Sequence, residues 1–146
     1  WWINERRFHD TLCRHGNRID FVDPSWEGED PHLSPDGIVQ AKATGVRLRH
    51  EGIEHIFASP FIRTVETAYH IAEALDLPVK IEHGAHEWLG ADWVPAPGFY
   101  VPPDEMCRRF PRVDTTYESM VFPTFPESDE ERRDRCRRAA AACAFG

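Results

Sequence analysis

Between residues 34 and 82 the chain runs through the same pattern twice: a helix signal, then a short apolar run rich in branched or aromatic residues. The first helix opens on "SPDG". Ser34 is a good N-cap, Pro35 suits the first helical position and Asp36 suits the positive end of the helix dipole. It is expected to reach about His50 and to stop at Gly52. "IEHIFAS", residues 53 to 59, then reads as a strand. A second helix is expected from about Thr64 to Leu75, with Val65, Ala68, Ile71, Ala72 and Leu75 at helical spacing as its buried stripe. Asp76 and Pro78 end it, and "VKIE", residues 79 to 82, reads as the next strand. Helices and strands alternating at this pace specify an α/β domain with a largely parallel sheet. Ligands in such sheets sit beyond the carboxyl ends of the strands, which puts the Ser59–Arg63 loop at a ligand-facing edge.

The remaining segments fit a single domain over residues 1–146, a length that can enclose a hydrophobic core. Residues 24 to 37 are a loop dense in Pro, Gly, Ser and Asp, and residues 94 to 103 are a Pro-rich excursion within the domain. A last helix is expected from Ser128, where "SDEE" offers a capping box between Ser128 and Glu131. The formal net charge of −8 argues against nucleic acid or an anionic membrane as partner. No apolar run has the length of a membrane span. The four cysteines, Cys13, Cys107, Cys136 and Cys143, form no CxxC pair, so reduced thiols and a cytoplasmic location are expected.

Two stretches carry residues suited to chemistry. "TLCRHGNRID", residues 11 to 20, holds Arg14, His15, Gly16, Arg18 and Asp20. Alone it reads as a polar surface turn with an exposed histidine, with an anion site as the alternative. "ASPFIRTVETA", residues 58 to 68, places Arg63 at the threshold of a helix, where unpaired N–H groups and the dipole favour an anion. A solvent-facing helix-end arginine is the alternative there. Asp20 and Asp23 lack a paired His/Asp ligand pattern, so no metal and no cofactor is expected. His32, His50, His55, His70, His83 and His86 read as surface or helix-face residues, and Ser59 as a strand-end residue with no general base beside it.

Taken in order, "RHGNRID", "DPHLSPDGIVQAKATG", "IFASPFIRTVETA" and "HEWLG" resemble the histidine phosphatase superfamily, which includes the cofactor-dependent phosphoglycerate mutases. The resemblance runs over about residues 12 to 135 and is nearest the phosphatase branch that carries ubiquitin-associated and SH3 modules. It implies a phosphoglycerate mutase-like, three-layer α/β domain with a mostly parallel sheet flanked by helices. It also implies a metal-independent phosphomonoester hydrolase acting through phosphohistidine on His15. Arg14 and Arg63 match the phosphate clamp, Arg18 a further arginine of the phosphatase branch, and Glu87 the general acid. Trp88, Leu89 and Trp93 are expected to desolvate that carboxyl and keep it protonated. The substrate is then a phosphorylated small molecule or a phosphoprotein, selected by loops around the pocket such as "WEGEDPH" and "WVPAPGFYVPP", with Phe99 and Tyr100 favouring an apolar or aromatic ester.

The resemblance further implies a second catalytic histidine in a Gly-His motif on a strand after the last helix, and no histidine follows His86. The segment before RHG, "WWINERRFHDT", is also a poor strand. The expectation is therefore a domain lacking its C-terminal strand and half of its first, feeble or inactive as it stands. The alternatives are a phosphoglycerate mutase-type phosphotransferase and a non-catalytic pseudophosphatase or phosphate-binding module.

Overall fold

The computed structural model describes residues 11–88, 90 and 101–145. Helix α1 spans Pro35–Leu48, strand β1 Ile56–Ala58, helix α2 Ile62–Leu75, strand β2 Val79–Ile81, helix α3 Pro103–Arg109 and helix α4 Asp129–Phe145. One-turn 3-10 helices lie at Ile19–Phe21 and His83–Ala85. The chain is thus α/β, and β1 and β2 pair in parallel with Ile56 opposite Val79 and Ala58 opposite Ile81. The free side of β2 is extended at one residue. Val79 N–H donates to Arg112 O at 2.8 Å, and Asp114 N–H to Val79 O at 2.8 Å.

The α1 cap is as the sequence has it: Ser34 Oγ accepts from Gly37 N–H at 3.0 Å, with Pro35 in the first turn. Its buried positions are Gly37, Ala41 and Gly45, one small residue per turn along a single face. That stripe lets α1 lie close against α2. A Cβ on Gly45 would stand 2.9 Å from Ala74 Cβ and 3.0 Å from Ile71 Cα. On α2, Val65, Ala68, Ile71 and Ala72 are buried and Leu75 packs at the margin of the core. Met106, Phe110 and Val113 close the core from the far part of the chain.

α2 starts at Ile62, two residues ahead of expectation. No side chain at Phe61 caps it; instead Asp30, far back in the chain, accepts from Ile62 N–H at 2.9 Å. Both strands are shorter than their apolar runs, because the parallel pairing covers only three residues on each. α3 was not anticipated, although Pro103, Asp104 and Glu105 are ordinary first-turn residues; the prolines before it make the whole stretch read as loop. Most of that Pro-rich excursion, residues 94–100, lies outside the described residues, as do Phe99, Tyr100 and the part of the "WWINERRFHDT" segment before Thr11. Residues 11–17 carry no regular secondary structure.

α4 begins at the expected capping box. Ser128 N–H donates to Glu131 Oε2 at 2.8 Å, and Glu131 N–H to Ser128 Oγ at 3.3 Å. Its inward face buries Ala139, at 5% exposure, and one turn before it the charged Arg135, at 1%. The loop joining β2 to α4's neighbourhood hangs on Glu82, a wholly buried carboxylate. Glu82 accepts from Tyr117 OH at 2.7 Å, Ser119 Oγ at 2.8 Å, and the N–H groups of Gly84, Met120 and Val121. Burial pushes the Glu82 carboxyl up, but those hydrogen bonds together outweigh it and hold the group below its ordinary value.

Candidate active site

The RHG run is stitched between the starts of α1 and α2. Gly16 N–H donates to Thr67 Oγ1 at 3.1 Å, and Thr67 in turn donates to Arg63 O at 2.7 Å. Asn17 N–H donates to Gln40 Oε1 at 3.0 Å, while Asn17 O accepts from Ser34 N–H at 2.8 Å. The contact is backbone on backbone. A Cβ on Gly16 would lie 2.5 Å from Gly37 O, and one on Gly37 would lie 2.1 Å from Asn17 O. No other residue fits at either place without displacing the loop that carries His15.

His15 is partly buried, and its Nδ1 lies 2.8 Å from Gly16 O. A carbonyl can only accept, so Nδ1 carries the proton and Nε2 keeps its lone pair. Burial lowers the imidazole's pKa from 6.5; the Gly16 hydrogen bond opposes this, and the charges of Arg63, Arg14 and Arg18 lower it further. Those effects also show that all three arginines lie within electrostatic reach of the ring. Arg14 is exposed. Arg18 is held by Asp20, Nε to Oδ1 at 2.9 Å, and lies over the Phe21 ring at 4.3 Å. The Arg18 hydrogen bond depresses the Asp20 carboxyl, and Asp20 in turn orients the guanidinium.

Arg63 is 7% exposed. Its Nη2 donates to Glu87 Oε2 at 2.6 Å, its Nη1 to Asp30 Oδ1 at 3.5 Å, and its guanidinium stacks 4.2 Å from the Phe61 ring centre. Its Nε has no hydrogen-bond partner among the described residues. A buried donor left over in a cationic cluster is what an incoming oxyanion would satisfy.

Glu87 does reach the cluster, but not in the surroundings expected of it. Its side chain is 60% exposed and bound to Arg63, not enclosed by apolar rings. The Trp88 indole turns away and donates to Glu127 O at 2.8 Å; Leu89 and Trp93 lie outside the described residues. His86 also departs from expectation. It is 4% exposed, not at the surface, and its ring sits 4.6 Å from Phe61. His32, His50 and His55 are exposed, His70 pairs with Glu73, and His83 is half-buried against Phe122. Ser59 accepts at its carbonyl from Thr64 Oγ1 at 2.6 Å and has no base beside it among the described residues.

Sequence reasoning missed Asp30, which both caps α2 and faces Arg63. Burial pushes its carboxyl above the ordinary value, against the pull of the Ile62 N–H, Arg63 and Arg109. It lies inside a loop whose composition signals only a turn, and nothing local links it to residues 62 and 63. Thr67, Glu127 and Arg135 were missed for the same reason.

The sequence profile of the histidine phosphatase superfamily, branch 1, matches residues 11–144. The mitochondrial serine/threonine-protein phosphatase Pgam5 of Drosophila virilis is 32% identical over 129 residues, 84% of this chain and 44% of that protein. Ubiquitin-associated and SH3 domain-containing protein B of Mus musculus is 32% identical over 102 residues, 64% of this chain and 16% of that protein. The chain therefore spans less than half the length of these relatives. The crystal structure of the ecdysone phosphate phosphatase of Bombyx mori in complex with tungstate superposes with a TM-score of 0.76 at 25% identity, covering 90% of this chain and 64% of that one. With the RHG loop, the Arg63 helix start and Glu87 converging as described, this chain belongs to the histidine phosphatase superfamily, branch 1.

Proposed function

We propose that the domain hydrolyses phosphomonoesters through a phosphohistidine formed on His15. The observation that carries this is the state of His15. Its Nδ1–H is spent on Gly16 O, its Nε2 lone pair is available, and the charges of Arg63, Arg14 and Arg18 act on the ring. In this reading Nε2 attacks phosphorus in line with the leaving oxygen, and the phosphorus–oxygen bond breaks as the nitrogen–phosphorus bond forms. Arg14, Arg18 and Arg63 balance the charge on the three equatorial oxygens, with the unpartnered Nε of Arg63 as a ready donor. The ester displaces the Glu87 carboxylate from Arg63, Glu87 relays a proton from the monoanionic phosphoryl group to the leaving oxygen, and water then takes the phosphoryl group from His15 as it gives up a proton to Glu87. The cycle runs on side chains and water, without a metal. Substrates are phosphorylated small molecules or phosphoproteins, in keeping with the phosphatases among the relatives.

The test is hydrolysis of p-nitrophenyl phosphate in EDTA by the parent and by His15→Ala. Loss of about a thousandfold or more in kcat is expected on removing the nucleophile. Equal rates in the two proteins would overturn the reading. Binding of vanadate without turnover would favour a phosphate-binding module over an enzyme.

A further inference from the structure

Glu87 sits in a loop held ahead of it by Arg135 of α4 and behind it by Glu127, which precedes α4. Arg135 is 1% exposed and makes four hydrogen bonds from its three nitrogens. Nε and Nη2 donate to the two carboxylate oxygens of Glu127 at 2.5 and 2.8 Å, and Nη1 donates to Gly84 O at 2.7 Å and His86 O at 2.8 Å. Glu127 is itself 3% exposed, and its carbonyl accepts from the Trp88 indole at 2.8 Å. The residue before Glu87 and the residue after it are thus both tied to the Arg135–Glu127 pair. The His86 ring then packs on Phe61, and Arg63 stacks on that same Phe61.

A buried ion pair is a poor source of stability, because desolvation offsets the attraction and an apolar pair of similar volume does as well. What an apolar pair cannot supply is a planar fork that bonds a carboxylate and two backbone carbonyls at once. We propose that Arg135 is a positioning residue for Glu87: with Glu127 and the Trp88 indole it fixes residues 84–88 so that the Glu87 carboxylate lies on Arg63. This rests on the reading of Arg63 as a phosphate ligand.

The consequence is a coupling measurable without turnover. A carboxylate on Arg63 competes with phosphate for the guanidinium, so Glu87→Gln tightens binding of inorganic phosphate, by about tenfold. That gain exists only while residue 87 is held in place. Arg135→Lys keeps the charge beside Glu127 but cannot make the four bonds together, and Trp88→Phe removes one tether while leaving the buried pair intact.

The experiment is calorimetric titration with inorganic phosphate of the parent, Glu87→Gln, Arg135→Lys and the double variant, with Trp88→Phe carried in parallel. The expected result is a gain from Glu87→Gln that shrinks to about twofold or less in the Arg135→Lys background and falls partway in the Trp88→Phe background. A merely structural role for Arg135 would weaken every protein alike and leave the gain unchanged. A full gain in the Arg135→Lys background overturns the proposal; should that variant not fold, a full gain in Trp88→Phe does so. A parent that binds phosphate with no gain from Glu87→Gln also overturns it, without touching the phosphate site. No binding by any of the proteins removes the phosphate-site reading and this inference together.

Discussion

The chemistry of this domain turns on which nitrogen of His15 holds a proton. Gly16 O decides that, because an acceptor 2.8 Å from Nδ1 fixes the tautomer and leaves Nε2 as the base. Burial and three neighbouring guanidinium groups then favour the neutral ring. The imidazole of His15, followed by NMR, should therefore titrate below 6.5, and Arg63→Met should move its midpoint upward by removing one of the lowering charges. A midpoint at or above 6.5 in the parent would contradict the geometry. His15 and Arg63 were legible as residues because their types and immediate neighbours suit anion chemistry. Asp30 was not, because its two partners, Ile62 N–H and Arg63, lie more than thirty positions away.

The helices show where local signals suffice. Ser34, Pro35 and Asp36 start α1, and Ser128 with Glu131 starts α4, by bonds that close within one turn. α2 has no such local cap, and its first turn is set by a carboxylate from another loop. α1 and α2 pack as closely as they do because Gly45 presents no Cβ to Ala74 and Ile71. Gly45→Val should prise the helices apart and cost about 1–3 kcal/mol, read as a lower urea midpoint with an unchanged slope. No loss of stability would show that the two helices can reseat. α4, by contrast, has no apolar stripe to read, because the large group it buries, beside the small Ala139, is Arg135.

For the molecule as a whole, the buried His86 and the partly buried His15 and His83 begin the response to acid. Burial is the main cause that holds His15, His83 and His86 below 6.5. In the unfolded chain they protonate near 6.5, so below that value the unfolded state binds more protons and stability falls as pH drops. The histidines' loss runs from about pH 6.5 down through their lowered folded values, and in the carboxylate range the depressed Glu82 and Asp20 add to it. Asp30, raised by burial, acts in the opposite direction but is one group against three. Thermal unfolding followed by circular dichroism should give a lower Tm at about pH 5 than at pH 7; a Tm that holds or rises would contradict this balance. The sequence by itself determined the alternation of helix and strand, the helix caps and the residue types of the site, because each depends on contacts within a few positions. Only the tertiary structure decided that Glu87 faces Arg63 in the open, that Asp30 starts α2, and that an arginine on the last helix holds the loop between them. Those are hydrogen bonds and ion pairs across 24 to 51 positions, and no local pattern encodes which distant partner a charged side chain will meet.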